Sequence, residues 1–328
     1  MKLIDRIPTD HRPVVPLMGY PGVTAAGRKA KAALTEPVTH LECMTLLENR
    51  FRPDALFMIM DLTVEAEALG LDVTFETDGP PSVVSHPIDD AAKLAALKVP
   101  DPRRSGRMPL FLEVAASLKG KLSGMLGAYC IGPFTLAAEL AGPEDLAIKT
   151  ITDPDFAKSA VDFSAEVGRA YATALVRAGA DVVAILEPTA VMLSPATFEQ
   201  FCAEPLARLG ATVRSEGGCP VLHICGDSTH LFGPMATCGM DGLSLDHPVD
   251  LAKAFEAVGP GTVVIGNVDP VGVMMEGDPQ SVRKASGILI ERFGDLPNYV
   301  LGTGCDLPGE TPLENIDALM AMREAAGA

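Results

Sequence analysis

The segment FAKSAVDFSAEVGRAYATALVRAGADVVAIL, Phe156 to Leu186, contains one helix-to-strand passage, and its reading decides the class of fold. In its first part apolar residues recur at intervals of three and four, which lays one apolar stripe along a helix. Gly179 closes that helix as a C-cap. The run VVAIL that follows is continuously β-branched or aliphatic, as expected of a strand covered on both faces. Working outward, the same alternation recurs along the chain. The candidate strands are Val14 to Gly19, Ala55 to Met60, Leu122 to Ala128, Val182 to Leu186, Val221 to Ile224, Gly242 to Leu245, Val263 to Asn267 and Tyr299 to Thr303. Short apolar runs separated by helices build parallel sheets. Eight of them in 328 residues point to a single domain, residues 1–328, folded as a (β/α)8 TIM barrel; a doubly wound open sheet is the alternative.

Two stretches break the rhythm. Between the second and third candidate strands lie about 60 residues that include VTFETDGPPSVVSHPI, Val73 to Ile88. Its Gly-Pro interruption between two extended runs reads as a β-hairpin inserted at the barrel mouth. The first 50 residues add an N-terminal helical extension, Thr39 to Phe51, expected to contribute to a lid over the substrate. Ser194, ahead of Pro195, is a natural N-cap for the helix that follows.

Composition removes several function classes. Twenty-six Lys and Arg stand against 43 Asp and Glu, a net charge of −17, which argues against nucleic acid or an anionic membrane surface as partner. The chain has no apolar run long enough to span a bilayer, and its start, MKLIDRIPTDHRP, lacks the pattern of a signal peptide. A cytoplasmic location is therefore expected. Seven scattered cysteines do not form a disulfide framework. Cys43, Cys130, Cys202, Cys219 and Cys238 read as small core hydrophobes.

The other two cysteines are placed differently. The strand at Val221 runs into LHICGDSTH, and because alternate side chains of a strand share a face, His223 and Cys225 can aim at one point. The last strand delivers Cys305 to the same C-terminal rim, where barrel active sites are built. One imidazole and two thiolates suit a tetrahedral zinc ion and leave a fourth position for substrate. On spacing alone the alternative stands equally: two buried thiols and a hydrogen-bonded histidine.

The motifs IGPFTLAAELAG (Ile131 to Gly142), LHICGD, IGNVDP (Ile265 to Pro270) and GTGCDLPGETPLENI (Gly302 to Ile316), with DLTVEAEALG (Asp61 to Gly70), resemble the uroporphyrinogen decarboxylase superfamily. They are most similar to its cobamide-dependent branch of methylcobamide:coenzyme M and related corrinoid methyltransferases. The resemblance implies a (β/α)8 barrel in which His223, Cys225 and Cys305 bind Zn2+. It also implies a methylcobamide (corrinoid) methyl donor carried by a partner protein, and a small thiol acceptor such as coenzyme M. Tetrahydrofolate as acceptor, or a decarboxylase, are the alternatives. The decarboxylases carry an Arg-rich segment near the N-terminus to grip their substrate's carboxylates; here RPVVPLMGYPGVTAAGR offers only Arg12 and Arg28. Asp61 matches the position that contacts pyrrole nitrogens in decarboxylases, and it is common to both branches.

Further polar residues fall at strand ends. Glu187 can be a fourth metal ligand, a base beside the metal or a rim carboxylate. Asp246 can orient His223 or cap the next helix, and with Glu187 and Asp61 it completes the expected catalytic set. Asn267 and Tyr129 are expected on the cofactor or substrate side. DSTHLFG places His230 three residues after Asp227, not two, so the corrinoid-binding Asp-x-His-x-x-Gly motif is missing and the corrinoid is expected on another protein.

Overall fold

A computed structural model describes residues 1–75 and 79–326. Eight parallel strands form one sheet: β1 (Val14–Val15), β2 (Ala55–Phe57), β3 (Met125–Ile131), β4 (Val182–Leu186), β5 (Cys219–Ile224), β6 (Gly242–Leu245), β7 (Val263–Val268) and β8 (Tyr299–Thr303). Their order around the sheet is β1-β8-β7-β6-β5-β4-β3-β2. The two ends meet at a seam that a side chain helps to close. Asp54 N–H donates to Val14 O at 3.3 Å, while Val14 N–H donates back to Asp54 Oδ2 at 2.7 Å. Arg323 and His11 pair with the same carboxylate at 3.0 and 2.8 Å. The result is the (β/α)8 barrel, with helices between successive strands.

The barrel interior is filled by alternate strand residues. Val15, Phe57, Tyr129, Val182, Ala184, Leu186, Cys219, Val221, Ile265 and Val300 form one buried cluster, and Leu3 and Ile7 pack against its lower end. The short helical turn Leu3–Asp5 therefore closes the N-terminal end of the barrel. In β5 the inward parity runs Cys219, Val221, His223, so the pleat alone carries the imidazole into the barrel axis. The interior is tight enough that a Cβ on Gly127 would fall 2.3 Å from the Phe57 ring.

Several sequence expectations move; the second strand, for one, ends at Phe57 and not Met60, and the fifth begins at Cys219 and not Val221. The third strand begins at Met125, three residues later than expected and ending at Ile131. Gly124 precedes it because a Cβ there would lie 2.3 Å from Pro53 O. The first strand stops at Val15, and Gly19 instead opens the helix Gly19–Ala25, where a Cβ would meet Ile59 Cα at 2.7 Å. The helix expected over Thr39 to Phe51 spans Pro37–Phe51 and is not a lid. It is the outer-layer crossover from β1 to β2, with Cys43, Met44 and Leu47 in the core and Arg50 paired to Asp317 at 2.6 Å. The inserted hairpin lies between β2 and β3 as expected, pairing Val73–Thr74 with Ser82–Val83; its tip, residues 76–78, lies outside the described residues. No helix among the described residues is long and apolar enough to cross a membrane.

Candidate metal centre

β5 and β8 end side by side with β6 and β7 at the C-terminal mouth, and there the three expected ligands meet. His223 Nε2 lies 3.0 Å from Cys225 Sγ and 3.6 Å from Cys305 Sγ, and the two sulfurs are 3.5 Å apart. A tetrahedral zinc ion at ordinary bond lengths sets its ligands about 3.8 Å apart for two sulfurs and about 3.6 Å for sulfur and nitrogen. The donor triangle is close to that size, and its soft sulfurs and borderline nitrogen suit zinc. Among the described residues these three form the group of His, Cys and acidic side chains able to hold a metal ion. His223 is buried, whereas both cysteines are partly open to the mouth. All seven cysteines are free thiols, and the five read as core residues are buried.

The ring of His223 is fixed from behind. Its Nδ1 faces both the carbonyl and the hydroxyl of Ser244 at 3.1 Å each, which leaves Nε2 directed at the sulfurs. Burial works against charge on this imidazole, yet Cys305, Asp246 and the Ser244 carbonyl together raise its pKa. The Cys305 thiol is held well above the ordinary thiol range by its hydrogen bond with Cys225 and by burial. Two thiolates this close repel, so the apo centre retains protons that a cation would displace.

Of the two roles open to Asp246, orienting the His223 ring or capping the next helix, neither is made by its carboxylate as a direct hydrogen bond. Its Oδ2 accepts from Gly226 N–H at 2.7 Å and its Oδ1 from His247 N–H at 2.7 Å, so it pins the turn that follows Cys225. Asn267 donates to Asp246 O and Val249 O, both at 2.9 Å, and so ties down that same loop instead of facing the donors. Glu187 is fully buried and aimed away from the metal donors. Its Oε1 accepts from Thr135 N–H at 2.6 Å and Thr135 Oγ1 at 2.9 Å, and Phe134 N–H donates to Oε2 at 3.3 Å. It thus caps the helix Pro133–Ala141, and burial raises its pKa to about 8. Gly132 is required beside it, since a Cβ there would fall 1.9 Å from Glu187 Oε2.

Asp61 forms a buried ion pair with Arg107, a residue the sequence reading did not single out. Asp61 Oδ1 also accepts from Thr63 N–H and Oγ1 at 2.8 and 2.7 Å, and Arg107 Nε donates to Glu67 at 2.7 Å. The pattern could not announce Arg107, because it lies some 40 residues from its partners beyond the hairpin. Tyr129 does face the barrel interior, 5.3 Å from the Phe57 ring, and its buried hydroxyl has no hydrogen-bond partner. His230 bonds Leu193 O at 3.0 Å and is no ligand. Arg12 lines the opposite, N-terminal end of the barrel, and Arg28 is paired with Glu42 on the surface. Neither forms part of a carboxylate-gripping cluster at the mouth.

Comparison with known proteins gives the family. Residues 1–326 match the family model of uroporphyrinogen decarboxylase (URO-D). The chain belongs to the uroporphyrinogen decarboxylase family. Within it the chain stands on the methyltransferase branch. It is 32% identical over 328 residues to the methylcobamide:CoM methyltransferase MtaA of Methanosarcina barkeri strain Fusaro, covering 97% of this chain and 94% of that one. A second MtaA from Methanosarcina barkeri is 34% identical over 270 residues, 80% of this chain and 77% of the other. A solved methyltransferase from Methanosarcina mazei superposes with a TM-score of 0.89 at 29% identity, covering 98% and 96% of the two chains.

Proposed function

We propose that this family member is a zinc-dependent methyltransferase of the cytoplasm, moving a methyl group from a methylated corrinoid held by a partner protein to a small thiol. The observation that carries this reading is the triangle of His223, Cys225 and Cys305, with sides of 3.0 to 3.6 Å at the barrel mouth. The methyltransferase relatives support the donor and the class of acceptor.

His223, Cys225 and Cys305 would hold the ion, with Ser244 setting the tautomer of His223 and Asp246 the turn beyond Cys225. Bound there, zinc supplies the Lewis acidity that lets a thiol give up its proton near neutral pH. The partly open sulfurs of Cys225 and Cys305 face the mouth, so an incoming thiol approaches from the cleft side. Overall, the thiol S–H bond breaks and an S–CH3 bond forms. The donor retains the electron pair of the bond it loses, and the proton leaves to solvent. The barrel walls contribute positioning: both reactants must be brought to near-contact distance in one orientation.

The test is a metal analysis of purified protein together with methyl transfer from methylcobalamin to thiols, followed by the corrinoid spectrum. About one zinc per chain is expected, and Cys225→Ser or Cys305→Ser should remove both zinc and activity. A variant that is metal-free yet fully active would sink the reading.

A further inference from the structure

The metal centre leaves Arg12 without a task. This arginine lies at the other, N-terminal end of the barrel, on the wall of a cavity of about 300 Å³. Ile7, Pro8, Pro13, Leu296, Pro297 and Tyr299 give that cavity apolar walls, and Asp10 and Asp295 stand exposed at its rim. The local sequence holds the arginine in place. Arg12 precedes Pro13, which restricts its backbone to extended conformations, and β1 begins directly afterwards at Val14. Behind the guanidinium, Gly294 ends the helix Pro279–Phe293, and a Cβ there would fall 3.0 Å from Arg12 Nη2.

Arg12 Nε and Nη1 are buried and have no hydrogen-bond partner, and no carboxylate among the described residues pairs with the group. The polar neighbours are already engaged. His11 bridges Asp10 and Asp54 at 2.9 and 2.8 Å, and the Tyr299 hydroxyl donates to Gly266 O at 2.8 Å. Arg6, Arg107, Arg214 and Arg323, also drawn inward from the surface, each meet a carboxylate. The C-terminal end of the helix Pro279–Phe293 offsets part of the positive charge, but it gives the Nε and Nη1 hydrogens no acceptor. Burying a charged donor without an acceptor is costly, so this guanidinium is complementary to a ligand that brings acceptor oxygens.

Two features narrow the ligand. A single cation behind two rim carboxylates suits one negative charge better than a phosphate dianion. Apolar walls around one charged group suit a ligand with an apolar body. We propose that this cavity binds a small organic monocarboxylate, its carboxylate on Arg12 and its body against Ile7, Pro13 and Tyr299. The site is separate from the metal centre and does not depend on the thiol methyltransferase reading.

Benzoate and benzamide share a body and differ in charge, while inorganic phosphate has the charge without the body. Their dissociation constants are measured by calorimetry on the full-length protein and on Arg12→Gln and Arg12→Lys. Benzoate is expected to bind wild type saturably and at least about tenfold more tightly than benzamide, the scale of a charge-assisted hydrogen bond. Arg12→Gln should weaken benzoate binding by at least about tenfold and Arg12→Lys by less, with zinc content unchanged in both. Because the guanidinium has no partner in the fold, Arg12→Gln should resist urea at least as well as wild type. Undetectable benzoate binding, equal binding of benzamide, tighter binding of phosphate, or an unchanged benzoate affinity in Arg12→Gln each overturns the proposal. The comparison of benzoate with benzamide on wild type needs no variant, and it decides the matter should Arg12→Gln fail to fold.

Discussion

Ser244 is the ladder neighbour of His223 across β5 and β6, and its carbonyl and hydroxyl oxygens both lie 3.1 Å from His223 Nδ1. The strand register thus does more than fill the barrel. It supplies the acceptor that decides which nitrogen of the ring is left for a metal. Ser244→Ala keeps the carbonyl and removes the hydroxyl, so the tautomer should persist with a looser ring. Zinc affinity is expected to fall about tenfold, the lower end of what outer partners of a metal-bound histidine contribute. Competition with a chromophoric chelator measures it, and an unchanged affinity would assign the whole orienting role to the backbone.

Zinc loading should be strongly pH-dependent in a definite direction. The Cys305 thiol is held above its ordinary range and His223 is raised too, so protons occupy ligand atoms in the apo centre near neutrality. A metal ion must displace them, and apparent affinity therefore rises with pH. Between pH 6 and 8 the gain is expected to be about tenfold per unit for each proton released. Chelator competition across that range, paired with proton-release measurements in weak buffer, checks the sign. A flat profile would mean that the ligands are already deprotonated.

The meeting of His223 and Cys225 was legible because a strand pleat has a fixed period of two: once β5 is placed, the two must share a side. Ser244 was not, since a strand serine carries no signal until the register with β5 is known. For Glu187, Asp61 and Asp246 the sequence left the role open. Each is a carboxylate at a strand end near the mouth, which sequence alone reads as chemistry. In the structure each is consumed by local geometry: a helix N-terminus, a buried guanidinium and a turn amide. Arg107 reaches Asp61 only through the fold, from beyond the inserted hairpin. Strand identity was readable from apolar runs, while the ends of β1 and β3 were set by contacts of Gly19 and Gly124 that no local pattern reveals.

The Asp61–Arg107 pair sets a prediction about folding and not about chemistry. The Asp61 side chain has no exposed surface and that of Arg107 is 9% exposed. Arg107→Met leaves a buried carboxylate without its partner, a change that costs about 3–5 kcal/mol in comparable pairs. Adding Asp61→Asn removes the stranded charge and should restore much of that loss. Urea denaturation of the wild type and the two variants decides it, with zinc content unchanged throughout. A single variant as stable as wild type would show that water or another cation serves Asp61.

Glu187 gives a stability prediction with the opposite pH sense from a surface carboxylate. Burial raises its folded pKa to about 8, against an unfolded value near the ordinary one of about 4.3. The folded state therefore holds the proton more tightly than the unfolded chain. Its contribution is fully present below pH 4 and is lost as the pH rises through 8. Glu187→Gln cannot titrate, keeps an acceptor for Thr135 N–H and turns a donor toward Phe134 N–H. The variant should thus be the less stable protein at pH 5, with the gap narrowing or reversing by pH 8.5. The relative change between those two pH values is expected to be roughly 4 kcal/mol, from the size of the pKa difference. Denaturant midpoints of both proteins at half-unit pH steps measure it. A difference independent of pH would mean that Glu187 is ionised throughout, held as an anion by the N-terminal amides of the helix Pro133–Ala141.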